Sequence, residues 1–311
     1  MAKNNGKLPL FILLIALIMA LCLVIGASNK SITTKTVKFD NVSIANEQTT
    51  NDSKDNEHAP CVKSGKIELL CLMYHNIVAD NQAENSYEVR VSTIEKDFIE
   101  LKDMGYKCVD RGDLLEVIKY KKAGKYVMIT FDDGFYGVYK YVPTLLKRYN
   151  MNCVISVVGE FMEKADKQNY KTRCSYMNSK EVATIAKNPR VEIAHHSYSL
   201  HHIKNGMKGV KIAKGENEFI YKERMFNDTS KLEKKMSGLG VKLNTYCYPY
   251  GEYCRQSENV LKELGYSMTM TCNEKMNILD NKNNLQLIGR INRAAKYGNI
   301  KNLINKTCNK K

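Results

Sequence analysis

Residues 126–135 read Tyr-Val-Met-Ile-Thr-Phe-Asp-Asp-Gly-Phe. The run 126–131, apolar but for one threonine, predicts a strand covered on both faces, as in a parallel sheet. Two carboxylates follow at once, and Gly134 permits a sharp turn beside them. Consecutive residues at a strand end point in different directions, so Asp132 and Asp133 can take separate roles, one toward a metal and one toward a proton. Asp-Gly is also an ordinary turn signal, so this stretch alone leaves function open.

The same pattern repeats on either side. Residues 67–74, Ile-Glu-Leu-Leu-Cys-Leu-Met-Tyr, make a near-continuous apolar run of strand length, and 152–158 make another. Further strands are expected at 191–194, 245–248 and 267–271. Ile94, Phe98, Leu101 and Met104 recur at helical spacing and Gly105 ends the element, with Ser92 and Glu95 at capping-box distance. Other helices are expected at 114–120, 138–149, 179–186 and 257–264, and 204–242 reads as a basic loop followed by a charged helix. Alternating strands and helices predict an α/β fold with a parallel sheet or barrel. Chemistry in such folds gathers past the carboxyl ends of strands, where the polar clusters 132–133, 195–202 and 249–252 fall.

The chain has 311 residues and a formal charge of +15, which suits an anionic polymer or surface without choosing one. The first residues narrow the choice. Lys3 and Lys7 precede an unbroken apolar run at 8–27, enough to span a bilayer of about 30 Å as a helix. Residues 1–28 are therefore expected to be a membrane anchor or signal segment, with 29–65 a polar stalk and 66–311 an exported domain. This topology opposes nucleic-acid binding. Ten cysteines are present without a Cys-x-x-Cys pair, which excludes zinc ribbons and thioredoxin-like motifs. Most are expected to be free thiols.

Four of the six histidines fall within 194–202, Ala-His-His-Ser-Tyr-Ser-Leu-His-His. Imidazole is the commonest metal ligand. On a regular helix His196 and His201 would lie about 140° apart, so they must converge from a loop. The third cluster, Cys247-Tyr-Pro-Tyr-Gly-Glu252, is by itself only a proline-aromatic-glycine turn.

Together and in this order, Thr130-Phe-Asp-Asp-Gly134, His196-Ser197 with His201, and Pro249-Tyr250 resemble the polysaccharide deacetylases of the NodB-homology, carbohydrate esterase 4 family. The resemblance covers roughly 67–293 and implies a distorted (β/α) barrel, here preceded by one transmembrane helix. It implies a divalent metal, most often zinc, on Asp133, His196 and His201, with Asp132 as general base. The backbone N–H of Tyr250 would help hold the oxyanion, and Tyr248 and Pro249 would contact substrate.

Two positions depart from the family pattern. No histidine follows His202 to serve as the usual general acid, but His75, in Leu72-Met-Tyr-His-Asn76, matches the permuted poly-N-acetylglucosamine deacetylase branch. Cys247 stands where the third motif usually has the arginine that orients the base, and Arg290 or Arg293 would have to replace it. The expected function is metal-dependent removal of N-acetyl groups from extracellular N-acetylglucosamine polymer, either poly-N-acetylglucosamine-like or peptidoglycan. The competing reading is a non-catalytic carbohydrate- or wall-binding protein on the same scaffold.

Overall fold

A computed structural model describes residues 65–204, 206–280 and 285–308. The expected anchor and stalk lie outside the described residues, within which no helix is long and apolar enough to cross a membrane. The fold grows from β1 (Ile67–Tyr74), every residue of which is buried. The main sheet continues through β2 (Lys107–Cys108), β3 (Gly124–Phe131), β4 (Cys153–Val157), β5 (Val191–His195) and β6 (Thr245–Cys247). It ends with β7 (Met268–Met270), β8 (Asn277–Leu279), β9 (Leu285–Ile288) and β10 (Ile291–Asn292).

The spatial order is β8-β1-β3-β4-β5-β6-β7-β9, with β2 on β3 and β10 on β1. All pairs are parallel except β1 with β8. β9 and β10 are nearly consecutive in sequence, yet one pairs with β7 and the other with β1. The segment from Leu285 to Asn292 therefore joins the two ends of the sheet into a nearly closed, barrel-like α/β ring. Asn277 locks that closure, donating to the carbonyls of Leu69 and Gly289 (3.2 and 2.8 Å) and accepting from Gly289 N–H (2.8 Å). Any side chain at Gly289 would collide with the Asn273 carbonyl, 2.5 Å from its ideal Cβ.

Register then sets the rim. Tyr74 pairs with Phe131, Phe131 with Ile155, Val157 with His195, and His195 with Tyr246. His75, Asp132, Ser156, His196 and Cys247 thus lie at successive carboxyl ends around one mouth.

Helices cover the outside: α1 (Val91–Asp103), α2 (Arg111–Lys119), α3 (Tyr136–Tyr149), α4 (Gly159–Asp166), α5 (Ser179–Ile185), α6 (Glu218–Gly238), α7 (Arg255–Glu263) and α8 (Ile300–Cys308). The expected Ser92 capping box does not form. The helix begins at Val91 without a side-chain cap, and Ser92 N–H is taken instead by Asp80 (2.8 Å). α4 was not expected, because no polar residue caps it. Cys71, Cys108, Cys153, Cys174, Cys247, Cys254 and Cys272 are all free thiols.

Arg293, just past β10, makes a two-pronged buried pair with Asp97 of α1 (2.8 and 2.9 Å), and Tyr74 donates to the same carboxylate (2.9 Å). Removing one partner strands a buried charge, at about 3–5 kcal/mol. Asp97→Ala should lose that much stability in urea unfolding, with an unchanged m-value.

Candidate active site

Asp132 is fully buried and would be expected to resist ionisation. Burial pushes its pKa up, but Arg290, reinforced by His196, holds it well below the usual carboxylate range. The guanidinium grips both carboxylate oxygens at 2.7 Å, and Ser156 donates to Oδ1 (2.7 Å). Arg290, itself wholly buried, also donates to the Thr271 carbonyl and the Thr130 hydroxyl (3.1 and 3.2 Å). Oδ2 takes only the one guanidinium donor among the described residues, so it keeps accepting capacity. Of the two arginines expected to replace the third-motif residue, Arg290 reaches Asp132 while Arg293 is committed to Asp97. Cys247 is buried, its thiol 3.7 Å from the Met270 sulfur.

Asp133 turns the other way, in the left-handed region at φ 69°. Its Oδ1 is buried, 3.2 Å from His201 Nε2 and 3.5 Å from His196 Nε2, with no well-aligned hydrogen-bond partner among the described residues. His196 Nδ1 is 2.7 Å from the Cys247 carbonyl, which fixes the proton on Nδ1 and leaves Nε2 as a lone pair. Burial pushes this imidazole down to about 4, so it is neutral at neutral pH. A lone pair and a carboxylate oxygen facing each other without a donor is unfavourable unless a cation lies between them. The three ligand atoms lie within 4.8 Å of one another. Asp133, His196 and His201 therefore fit a divalent metal ion with an open coordination position.

The loop carrying both histidines is held from two sides. The first-turn N–H groups of α4, Gly159 and Glu160, donate to the carbonyls of Ser197 and Tyr198 (3.1 and 2.7 Å). This is why α4 needs no polar cap. Gly159 is required there, since a Cβ would sit 2.4 Å from the Tyr198 ring. From α6, Asp228 accepts from the N–H groups of Tyr198 and Ser199, both at 2.8 Å. His195 supports the loop from below, stacked on Tyr246 (4.6 Å), accepting from Ser197 N–H (2.9 Å) and facing the Thr229 carbonyl (3.2 Å). His202 Nδ1 meets the Ser199 carbonyl (2.8 Å) and its own backbone carbonyl accepts from Gly209 N–H (3.0 Å).

His75 follows β1 as Asp132 follows β3, one residue beyond the paired Tyr74 and Phe131. The His75 Nδ1 is buried without a partner among the described residues, and its ring meets Tyr87 edge-on (4.9 Å). Tyr250 adopts φ 58° and packs its ring 4.7 Å from that of His201.

Residues 119–269 match the family model described as polysaccharide deacetylase. The chain carries a polysaccharide deacetylase domain. Its 26% identity over 224 residues to the poly-beta-1,6-N-acetyl-D-glucosamine N-deacetylase of Escherichia coli K12 covers 65% of this chain and 33% of that protein. The chain thus spans about a third of the length of this curated relative. A de-N-acetylase from Aggregatibacter actinomycetemcomitans superimposes with a TM-score of 0.63 at 22% identity, covering 76% of this chain and 99% of that one. IcaB from Ammonifex degensii gives 0.59 at 21%, covering 72% and 90%. These likenesses show the NodB-type fold.

Within the deacetylase domain one expected contact is corrected. Tyr248 is fully buried between Tyr246 and Tyr253, with its hydroxyl donated to Glu258, so it packs beneath the third-motif turn and cannot touch a substrate. Pro249 is buried in the same turn. Ser156 and Asp228 carried no sequence signal, since a lone serine in a strand and one aspartate in a charged helix look structural. α6 packs on the barrel, while the hairpin of Ile203–Lys204 and Met207–Lys208 places Lys208 on Glu252 (3.1 Å) beside Tyr250. Partners that orient metal ligands are worth about 10–100-fold in metal affinity. Asp228→Ala should weaken zinc binding by about that factor in calorimetry, whereas surface Asp103→Ala should not change it.

Proposed function

We propose that the chain removes N-acetyl groups from N-acetylglucosamine-containing polysaccharide outside the cell, in a metal-dependent hydrolysis. The observation that carries this reading is the convergence of Asp133, His196 and His201 beside the arginine-held Asp132, at the rim of a deacetylase domain. A divalent ion, zinc by its preference for this donor set, would be held by those three residues, polarise the amide carbonyl and acidify the attacking water. Asp132 accepts the water's proton at Oδ2, and Arg290 keeps that carboxylate ionised and aimed. The backbone N–H of Tyr250 donates to the oxygen on which negative charge develops. His75 delivers a proton to the departing nitrogen, without which an amide anion would have to leave.

The E. coli relative's name supports an acetylated amino-sugar polymer, with poly-N-acetylglucosamine-like chains and peptidoglycan both of that class. The apolar run 8–27 supports tethering to the membrane with the domain outside. The two-pronged grip of Arg290 on Asp132 supports catalysis over a non-catalytic binder, because it gives the base an orienting partner.

Chelation should abolish acetate release from N-acetylglucosamine oligomers, and added zinc should restore it. Asp132→Asn should lower kcat by about 100-fold or more while metal content holds at one ion. Release from oligomers supplied to intact expressing cells checks the external setting. Undiminished turnover after complete metal removal would sink the reading.

A further inference from the structure

A general acid works only where its proton is aimed, yet the His75 Nδ1 has no partner among the described residues to fix the ring. The packing of its neighbours does that instead. The Tyr87 ring meets the imidazole edge-on, but Tyr87 is itself 61% exposed and needs support.

That support comes from the residues next in the chain. Asn76 N–H donates to the Tyr87 carbonyl (2.9 Å), and Asn76–Val78 pairs in parallel with Glu88–Arg90. The Asn76 amide donates to Glu88 Oε1 (3.1 Å), which ties the residue after His75 to the residue after Tyr87. Arg173, from the loop before α5, clamps both. Its Nε and Nη2 donate to the two Glu88 oxygens (2.9 and 2.5 Å), and its own carbonyl accepts from the Asn76 amide (2.9 Å). On the far side α3 presses close: a Cβ on Gly137 would sit 2.0 Å from the Ile77 carbonyl and 2.4 Å from Asn76 Oδ1.

Burial pushes the Glu88 carboxyl up, but hydrogen bonds from Arg173 and Asn76 outweigh it and hold the group below the usual carboxylate range. The clamp is therefore an ion pair at neutral pH. A partly exposed pair adds little stability, while two-pronged contact adds geometry. Neither residue belongs to a motif, and neither is hydrogen-bonded to Asp132, Asp133, His196 or His201 among the described residues.

Resting on the deacetylase reading, we propose that the Glu88–Arg173 clamp positions the general acid, holding Asn76 and the Tyr87 turn so that the His75 imidazole is aimed at the departing nitrogen. Both are positioning residues that act through His75. Only a leaving group that needs a proton should then feel the clamp, and 4-nitrophenolate departs without one.

The test uses the full chain with zinc bound and compares wild type, Glu88→Gln, Arg173→Lys, His75→Ala and the double variant Glu88→Gln/His75→Ala. Turnover is read on N-acetylglucosamine oligomers and on 4-nitrophenyl acetate, and exchange of the Asn76 amide by mass spectrometry. Glu88→Gln and Arg173→Lys should each lower kcat on oligomers about tenfold at nearly constant KM. Ester turnover and metal content should stay within about twofold of wild type. Glu88→Gln should cost nothing further once His75 is alanine, and should speed Asn76 exchange. Equal losses on oligomer and ester, a further loss in the double variant, or wild-type kcat in both single clamp variants would overturn the proposal. A clamp whose loss speeds Asn76 exchange, in a wild type that releases no acetate, would leave the clamp around His75 standing and refute the deacetylase reading instead.

Discussion

The buried pair of Arg290 and Asp132 is the constraint around which the remainder is arranged. Taking both charges out of water costs several kcal/mol each, so such pairs are poor sources of stability and good sources of geometry. Here the geometry is set by topology. Arg290 sits between β9 and β10, in the few residues that carry the chain from one end of the sheet to the other. Closing the ring therefore delivers the guanidinium to Asp132, and the carboxylate is oriented only when the ring is closed.

The same logic holds around Asp133, His196 and His201. Asp133, Ser197 and Tyr250 all occupy the left-handed region, at φ 69°, 67° and 58°. Each such residue costs on the order of 1–3 kcal/mol and persists only where its surroundings over-determine it. The surroundings here are explicit: α4 donates to the histidine loop, Asp228 accepts from it, and His195 props it from beneath. α6 is thus part of the site's support although it contributes no ligand.

Much of this was legible in the chain. Strands such as 67–74 and 126–131 announce themselves because both faces are buried, and the pairing of carboxylates with clustered histidines narrows the chemistry. Legibility failed where partners come from distant backbone. α4 lacks a polar cap because carbonyls of the histidine loop satisfy its first turn, and no local pattern encodes that. The spacing of Arg290 and Arg293 in one strand segment could not say which faces Asp132, since the answer depends on how the ring closes. Tyr248 read as a substrate contact because its neighbours belong to the motif, yet the turn at Pro249 sends its side chain inward. The segment holding the expected anchor lies outside the described residues.

Arg290→Lys tests the central claim most directly, because it keeps the buried charge and removes the two-pronged grip. With zinc bound and unfolding unchanged within about 1 kcal/mol, kcat on N-acetylglucosamine oligomers should fall at least about tenfold at nearly constant KM. A variant that binds one zinc ion and keeps the wild-type kcat would contradict the account, for it would mean that Asp132 needs no guanidinium to do its work.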